Sequence, residues 1–137
     1  MNKMTLKVSA CSENEAFVRT VVSAFMLQLN PSVEQINDVK TTVSEAVTNS
    51  IVHAYPDGEG EITVECTLGS DYIKIIISDD GIGIPCVELA LQPFYTTKEE
   101  QERSGLGFTI MKSFMDEFEV FSSNGNGTKL VMTKKIA

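Results

Sequence analysis

The run Tyr72-Ile73-Lys74-Ile75-Ile76-Ile77-Ser78 constrains the fold more than any other stretch. It is nearly continuous in β-branched residues, which crowd a helix and suit a pleated surface covered on both sides. It predicts a central strand. Asp79-Asp80-Gly81-Ile82-Gly83-Ile84-Pro85 follows with no spacer. Glycines at alternate positions leave the backbone bare where a sheet ends, so a ligand can approach closely. Taken alone, an Asp-x-Gly-x-Gly run is also accounted for by an ordinary tight turn.

The rest of the chain supplies partners for that strand. Ile62, Val64, Cys66 and Leu68 alternate with Glu61, Thr63, Glu65 and Thr67, giving a second strand with one wet face. Met4, Leu6, Val8 and Ala10 do the same at the start of the chain. Ser12-Glu13-Asn14-Glu15 reads as a capping box opening a helix through about Leu29, ended by Asn30-Pro31. Ser32 and Gln35 cap a second helix. Its apolar residues Ile36, Val39, Val43, Ala46, Val47, Ile51 and Ala54 recur at steps of three and four. Residues 86–104 read as a long, loosely structured segment, uncommon inside a compact domain unless it is functional or disordered. Gly105-Leu106-Gly107-Phe108 then opens a third helix. Two further strands, Phe118–Ser122 and Thr128–Thr133, flank the hairpin signal Asn124-Gly125-Asn126-Gly127. The order β-α-α-β-β-loop-α-β-β predicts an α/β two-layer sandwich: a mixed sheet with helices on one face, in a single domain over 1–137.

Charge and cysteine content exclude several classes of function. A net charge of −8 repels phosphate backbones, so nucleic acid is not an expected partner. No apolar run reaches membrane-spanning length, and no signal-like segment follows Met1. Cys11, Cys66 and Cys86 are odd in number and far apart, and His53 is the one histidine. Neither a zinc site nor a disulfide framework is suggested, and the cytoplasm is the expected compartment.

Three groups could carry chemistry. Glu45, Asn49 and His53 repeat at i, i+4 and i+8, a polar stripe beside the apolar face of the second helix. A carboxylate and a carboxamide one turn apart can serve as a base and a metal ligand, while a solvated helix flank is the plainer reading of the pair taken alone. Backbone amides at the glycine-opened third helix suit a phosphate, while a glycine N-cap on a core helix is the plainer reading. Arg19 is the single cation of the first helix, and a solvated arginine accounts for it.

The order of these signals is more specific than any one of them. Glu45-x-x-x-Asn49 on a helix, Asp79-x-Gly81-x-Gly83 after a strand, Gly105-Leu106-Gly107 opening a helix and Gly127-Thr128 starting the last strand resemble the boxes of the GHKL ATPases. That superfamily includes gyrase, Hsp90, histidine kinases and MutL. Pro93-Phe94-Tyr95-Thr96-Thr97-Lys98 resembles the ATP lid of its kinase branch, which places a lid at about 86–104. A histidine kinase needs a helical dimerisation segment, and here a strand begins within a few residues of Met1. Ser44–Asn49, Gln92–Lys98 and Glu102–Met111 look closest to the sporulation members of the anti-sigma factor serine kinases. Cys86 departs from the usual polar or acidic residue beside the lid. A stress-response relative and a detached histidine-kinase ATP-binding domain are the alternatives.

The resemblance implies the Bergerat fold, ATP and Mg²⁺, and serine/threonine kinase activity. It assigns Glu45 as general base, Asn49 as Mg²⁺ ligand and Asp79 as acceptor for the adenine amino group. Gly81, Gly83, Thr97, Lys98, Arg103, Ser104, Gly105, Leu106, Gly107 and Thr128 would complete the nucleotide site. Arg19 would contact protein partners. Those partners would be a sigma factor, an anti-anti-sigma factor as phosphorylation substrate, and a second copy of the chain as homodimer.

Overall fold

The computed structural model describes residues 1–55, 59–83, 107–123 and 125–136. The chain forms β1 (Asn2–Ser9), α1 (Glu13–Met26) with a 3₁₀ turn at Leu27–Leu29, and α2 (Val33–Asn49), which runs into a π-helical turn at Ser50–Ala54. Then come β2 (Glu61–Leu68), β3 (Tyr72–Asp79), α3 (Gly107–Phe114), β4 (Glu117–Ser122) and β5 (Thr128–Lys135). The expectations for residues 84–106, the lid among them, lie outside the described residues.

The helices begin and end for local reasons, not always the predicted ones. At α2 the Ser32 side chain accepts from the Gln35 amide (3.1 Å) and the Gln35 side chain accepts from the Ser32 amide (2.8 Å), a complete capping box. The box predicted at Ser12 does not form. Ser12 has helical dihedrals and its hydroxyl donates to Glu13 Oε1 (2.9 Å), while Glu15 is drawn away by Ser44 and Arg19. Asn30 closes the 3₁₀ turn with φ of 52°, a left-handed conformation that asparagine tolerates better than most residues.

The sheet runs β1-β2-β3-β5-β4 with β3 at its centre. Among the described strands all four pairings are antiparallel, where a mixed sheet was the expectation. The connections explain this. One helix between strands returns the chain to make a parallel pair, whereas α1 and α2 together return it to the far end and reverse β2. After β3 the chain returns through α3 so that β4 runs parallel to β3, and β5 inserts between the two, antiparallel to both.

One face of the sheet meets the helices. Val18, Val22 and Met26 of α1, Val39, Val43 and Val47 of α2, and Met111 of α3 are buried against Ile62, Val64, Ile73, Ile75, Ile77 and Met132. The other face carries Lys3, Lys7, Glu65, Lys74, Glu117 and Glu119, all exposed. β3 is therefore central without being covered on both sides: Ile76 is half-buried on the open face, between Glu65 and Val131. Continuous β-branching exceeded what burial required.

Thr42 is the one imperfection in the α2 core face. Its side chain is fully buried, and Oγ1 has no hydrogen-bond partner among the described residues. A buried hydroxyl with no partner costs free energy that an isosteric methyl does not. Thr42→Val should raise stability by about 1 kcal/mol, read as a higher urea midpoint at unchanged slope. A midpoint that falls would mean the hydroxyl is satisfied after all.

Candidate active site

At the end of α2 the helix changes winding. The α-helix ends at Asn49 and the next five residues form a π turn. π turns are rare and concentrate at functional sites, because the extra residue per turn re-aims neighbouring side chains. The polar stripe is therefore kept for Glu45 and Asn49, both half-buried, but His53 falls in the π turn and out of their helical register.

α3 brings the glycine-opened helix onto that stripe. A methyl group at Gly107 would lie 3.3 Å from Glu45 Oε2, 3.4 Å from Asn49 Nδ2 and 3.5 Å from Asn49 Oδ1. Two elements far apart in sequence thus meet with their polar groups facing one space. Gly105 and Leu106, with Thr97, Lys98, Arg103 and Ser104, lie outside the described residues.

Asp79 stands at the last position of β3, 8% exposed. Ser50 Oγ donates to its Oδ2 (2.9 Å) and the Gly81 amide to its Oδ1 (3.0 Å). The Thr128 backbone, opposite it on β5, also favours the charged carboxylate. A carboxylate offers about four lone-pair positions, so the donors from Ser50 and Gly81 leave acceptor capacity for an incoming group. Burial pushes the Asp79 pKa up, and the hydrogen bonds from Gly81, Ser50 and Thr128 pull the other way. The result is a carboxylate fixed in position and poorly solvated, suited to one specific donor.

The glycines after β3 serve packing. A side chain at Gly81 would collide with the Ala54 carbonyl, which accepts from the Ile82 amide at 3.0 Å. Gly83 has φ of 78°, and a side chain there would meet the Ser123 carbonyl. Gly127 has φ of 74° and presses against the Asp79 carbonyl, while its amide donates to the Gly81 carbonyl (3.0 Å). The loop after Asp79 is thus clamped between the π turn and the β4–β5 hairpin. Thr128 Oγ1 shares a hydrogen with Ser122 Oγ at 2.9 Å.

Two features escaped the sequence reading. Ser50 continues the spacing Val43, Ala46, Val47 on the core face of α2, and a hydroxyl in an apolar face signals a buried partner, here Asp79. Glu15 joins two helices: Ser44 Oγ donates to its Oε2 at 2.9 Å, and Arg19 Nε lies 3.4 Å from the same oxygen. That second contact is an ion pair without hydrogen-bond geometry, since Arg19 Nε has no hydrogen-bond partner among the described residues. Arg19 itself is placed on α1, well away in sequence from the groups around Asp79.

Comparison with known proteins agrees with this geometry. Residues 8–134 match the family model described as a histidine kinase-like ATPase domain. The chain is 53% identical over 135 residues to the anti-sigma F factor of Clostridium beijerinckii, covering 98% of this chain and 94% of that protein. The anti-sigma F factor of Caldanaerobacter subterraneus subsp. tengcongensis matches with the same identity and coverage. Among solved structures, the RsbU and RsbW domains of a Mycobacterium tuberculosis protein superpose with a TM-score of 0.71 at 18% identity, over 99% of this chain and 33% of that one. The mycobacterial sensor histidine kinase MprB gives 0.60 at 16%, over 96% and 97%. These two likenesses speak to the fold. With near-complete coverage by relatives at half identity, the chain belongs to the anti-sigma F factors, within the histidine kinase-like ATPase domain family.

Proposed function

We propose that this protein uses Mg-ATP to phosphorylate a serine of an anti-anti-sigma factor, and that in its ATP-bound form it holds a sigma factor, sigma F, away from RNA polymerase core. The observation that carries the reading is the approach of Gly107 to Glu45 and Asn49, which gathers a base, a carboxamide and a helix N-terminus around one space. The remaining acceptor capacity of Asp79 supports it, because adenine's amino group is a donor where guanine carries a carbonyl.

The residues fit the nucleotide and its cation. Asp79 accepts from adenine, held in place by Ser50, Gly81 and Thr128. The Asn49 amide oxygen is a hard ligand of the kind Mg²⁺ takes, and the bound cation would offset phosphate charge. Gly107 amide, with Gly105, Leu106, Thr97, Lys98, Arg103 and Ser104, holds the phosphates. In the transfer step the serine hydroxyl oxygen bonds to the γ-phosphorus as the bond to the bridging oxygen breaks. Glu45 takes the hydroxyl proton and ADP leaves. Arg19 serves partner binding, with Glu15 and Ser44 limiting its freedom. The protein acts as a homodimer in the cytoplasm.

Incubation with labelled ATP, Mg²⁺ and the anti-anti-sigma protein tests the reading directly. An acid-stable phosphoester is expected; an acid-labile product would indicate phosphohistidine and a histidine-kinase domain instead.

Asp79→Asn separates recognition from stability. Losing a charge-assisted acceptor should weaken ATP binding about ten- to a hundredfold, and equal affinity of the unmutated protein for ATP and GTP would remove adenine recognition from this residue. A carboxyl whose folded pKa exceeds its unfolded value binds more protons folded than unfolded between the two. Stability therefore falls as pH rises from the ordinary 3.8 through the raised value. Asp79→Asn lacks that loss, so urea titrations should show it gaining on the unmutated protein from about pH 4 upward.

Glu45→Ala and Asn49→Ala should differ in kind. Without the base, nucleotide and sigma factor still bind while phosphoryl transfer drops by about 10²–10⁴-fold. Without the carboxamide, Mg-ATP binding weakens and the ATP-dependent hold on sigma factor weakens with it. A Glu45→Ala protein that transfers phosphate at the original rate would take the catalytic role from α2.

A further inference from the structure

Lys134 occupies a position where the alternation of β5 calls for an apolar side chain. Met132 and Leu130, two and four residues earlier on the same face, are buried in the core. The lysine side chain is 13% exposed, and a lysine that far from water requires partners. It has two. Nζ donates to Asp38 Oδ2 on α2 (3.0 Å) and to the Phe114 carbonyl at the last residue of α3 (2.7 Å). One ammonium therefore ties the sheet to both helices that make the active site.

α3 needs such a tie. At eight residues it is well below the roughly 12–15 at which isolated helices become even marginal in water, so tertiary contacts hold it. Phe114 carries one of the four carbonyls that a helix leaves unsatisfied at its C-terminus, and a cation there also meets the negative end of the helix dipole. The opposite end is Gly107, against Glu45 and Asn49. Because a helix is stiff along its axis, fixing the C-terminus against α2 fixes how the N-terminus addresses those residues, about 10 Å away. Phe108 packs on Phe118 of β4 with centroids 6.1 Å apart, so the N-terminal end has an apolar anchor and the C-terminal end an ionic one.

We infer that Lys134, with Asp38, is a positioning residue for nucleotide binding: it sets α3 so that the helix N-terminus meets the phosphates over Glu45 and Asn49. This rests on the ATP reading of that site and adds to it a residue that touches neither nucleotide nor partner.

The test compares Lys134→Met and Lys134→Arg in the full chain by hydrogen exchange without nucleotide and by titration with Mg-ATP. Lys134→Met should speed exchange across 108–114 about tenfold, leave 73–77 within about twofold, and weaken Mg-ATP binding about five- to tenfold. Lys134→Arg, which keeps the charge and the donors, should restore both readouts to within about twofold. Asp38→Asn leaves the Phe114 contact in place and should show the same pattern at about two- to threefold; it carries the test should Lys134→Met fail to fold. Faster exchange everywhere, or faster α3 exchange with unchanged Mg-ATP affinity, overturns the inference while the ATP reading stands. An unmutated protein that does not bind Mg-ATP overturns the ATP reading and this inference with it.

Discussion

The close approach of α3 to α2 is the constraint on which the candidate site depends. Neither helix contains a site alone. α2 supplies a carboxylate and a carboxamide one turn apart, and α3 supplies a helix start with no side chain at Gly107. A methyl group there would sit 3.3 Å from Glu45 Oε2, closer than most carbon–oxygen neighbours are found, so any larger residue would force the helices apart or turn the carboxylate away. Glycine at this position is thus a statement about interhelical distance. The apolar burial of Met111 and Val43 on the same pair of helices fixes that distance from the core side.

A second clamp holds the other half of the site. Asp79 is gripped from three elements: Ser50 in the π turn, Gly81 in its own loop and Thr128 on the neighbouring strand. The loop that follows is locked by carbonyl and amide contacts to Ala54 on one side and Gly127 on the other. Such packing of backbone on backbone needs residues without side chains, which is why glycine recurs through Gly81, Gly83 and Gly127. The cost is a buried carboxylate whose charged form is disfavoured by desolvation. The return is an acceptor held in one orientation, which needs no reorganisation to take a donor.

Local patterns made most of this legible in the sequence. Alternation in 61–68, β-branching in 72–78 and the cap at Ser32 each appear as elements close to their expected bounds, because each is decided by neighbours within a few residues. What was not legible depends on contacts across the chain. The Ser12 cap failed because Glu15 is bonded by Ser44, twenty-nine residues on. His53 left the polar stripe because the winding changes at Ser50, where the bond to Asp79 and the Ala54–Ile82 contact favour a π turn. Nothing local marks Lys134, one residue past the expected strand Thr128–Thr133, since its partners are 96 and 20 residues away. The order of motifs along the chain compensated for this. Spacing that no single element explains is a record of three-dimensional constraint.

Charge sets the division of labour within the site. Glu45, Asn49, Ser50, Asp79, Gly107 and Thr128 together carry two negative charges and no positive one, in a chain of net charge −8. A triphosphate placed against either carboxylate meets repulsion that salt screens poorly at contact range. Attraction must come from oriented amides, from a divalent cation, and from basic side chains such as Lys98 and Arg103 in the sequence between β3 and α3. On the proposed ATP reading, the sheet and helices contribute the carboxylates and the carboxamide, while affinity for phosphate comes from elsewhere.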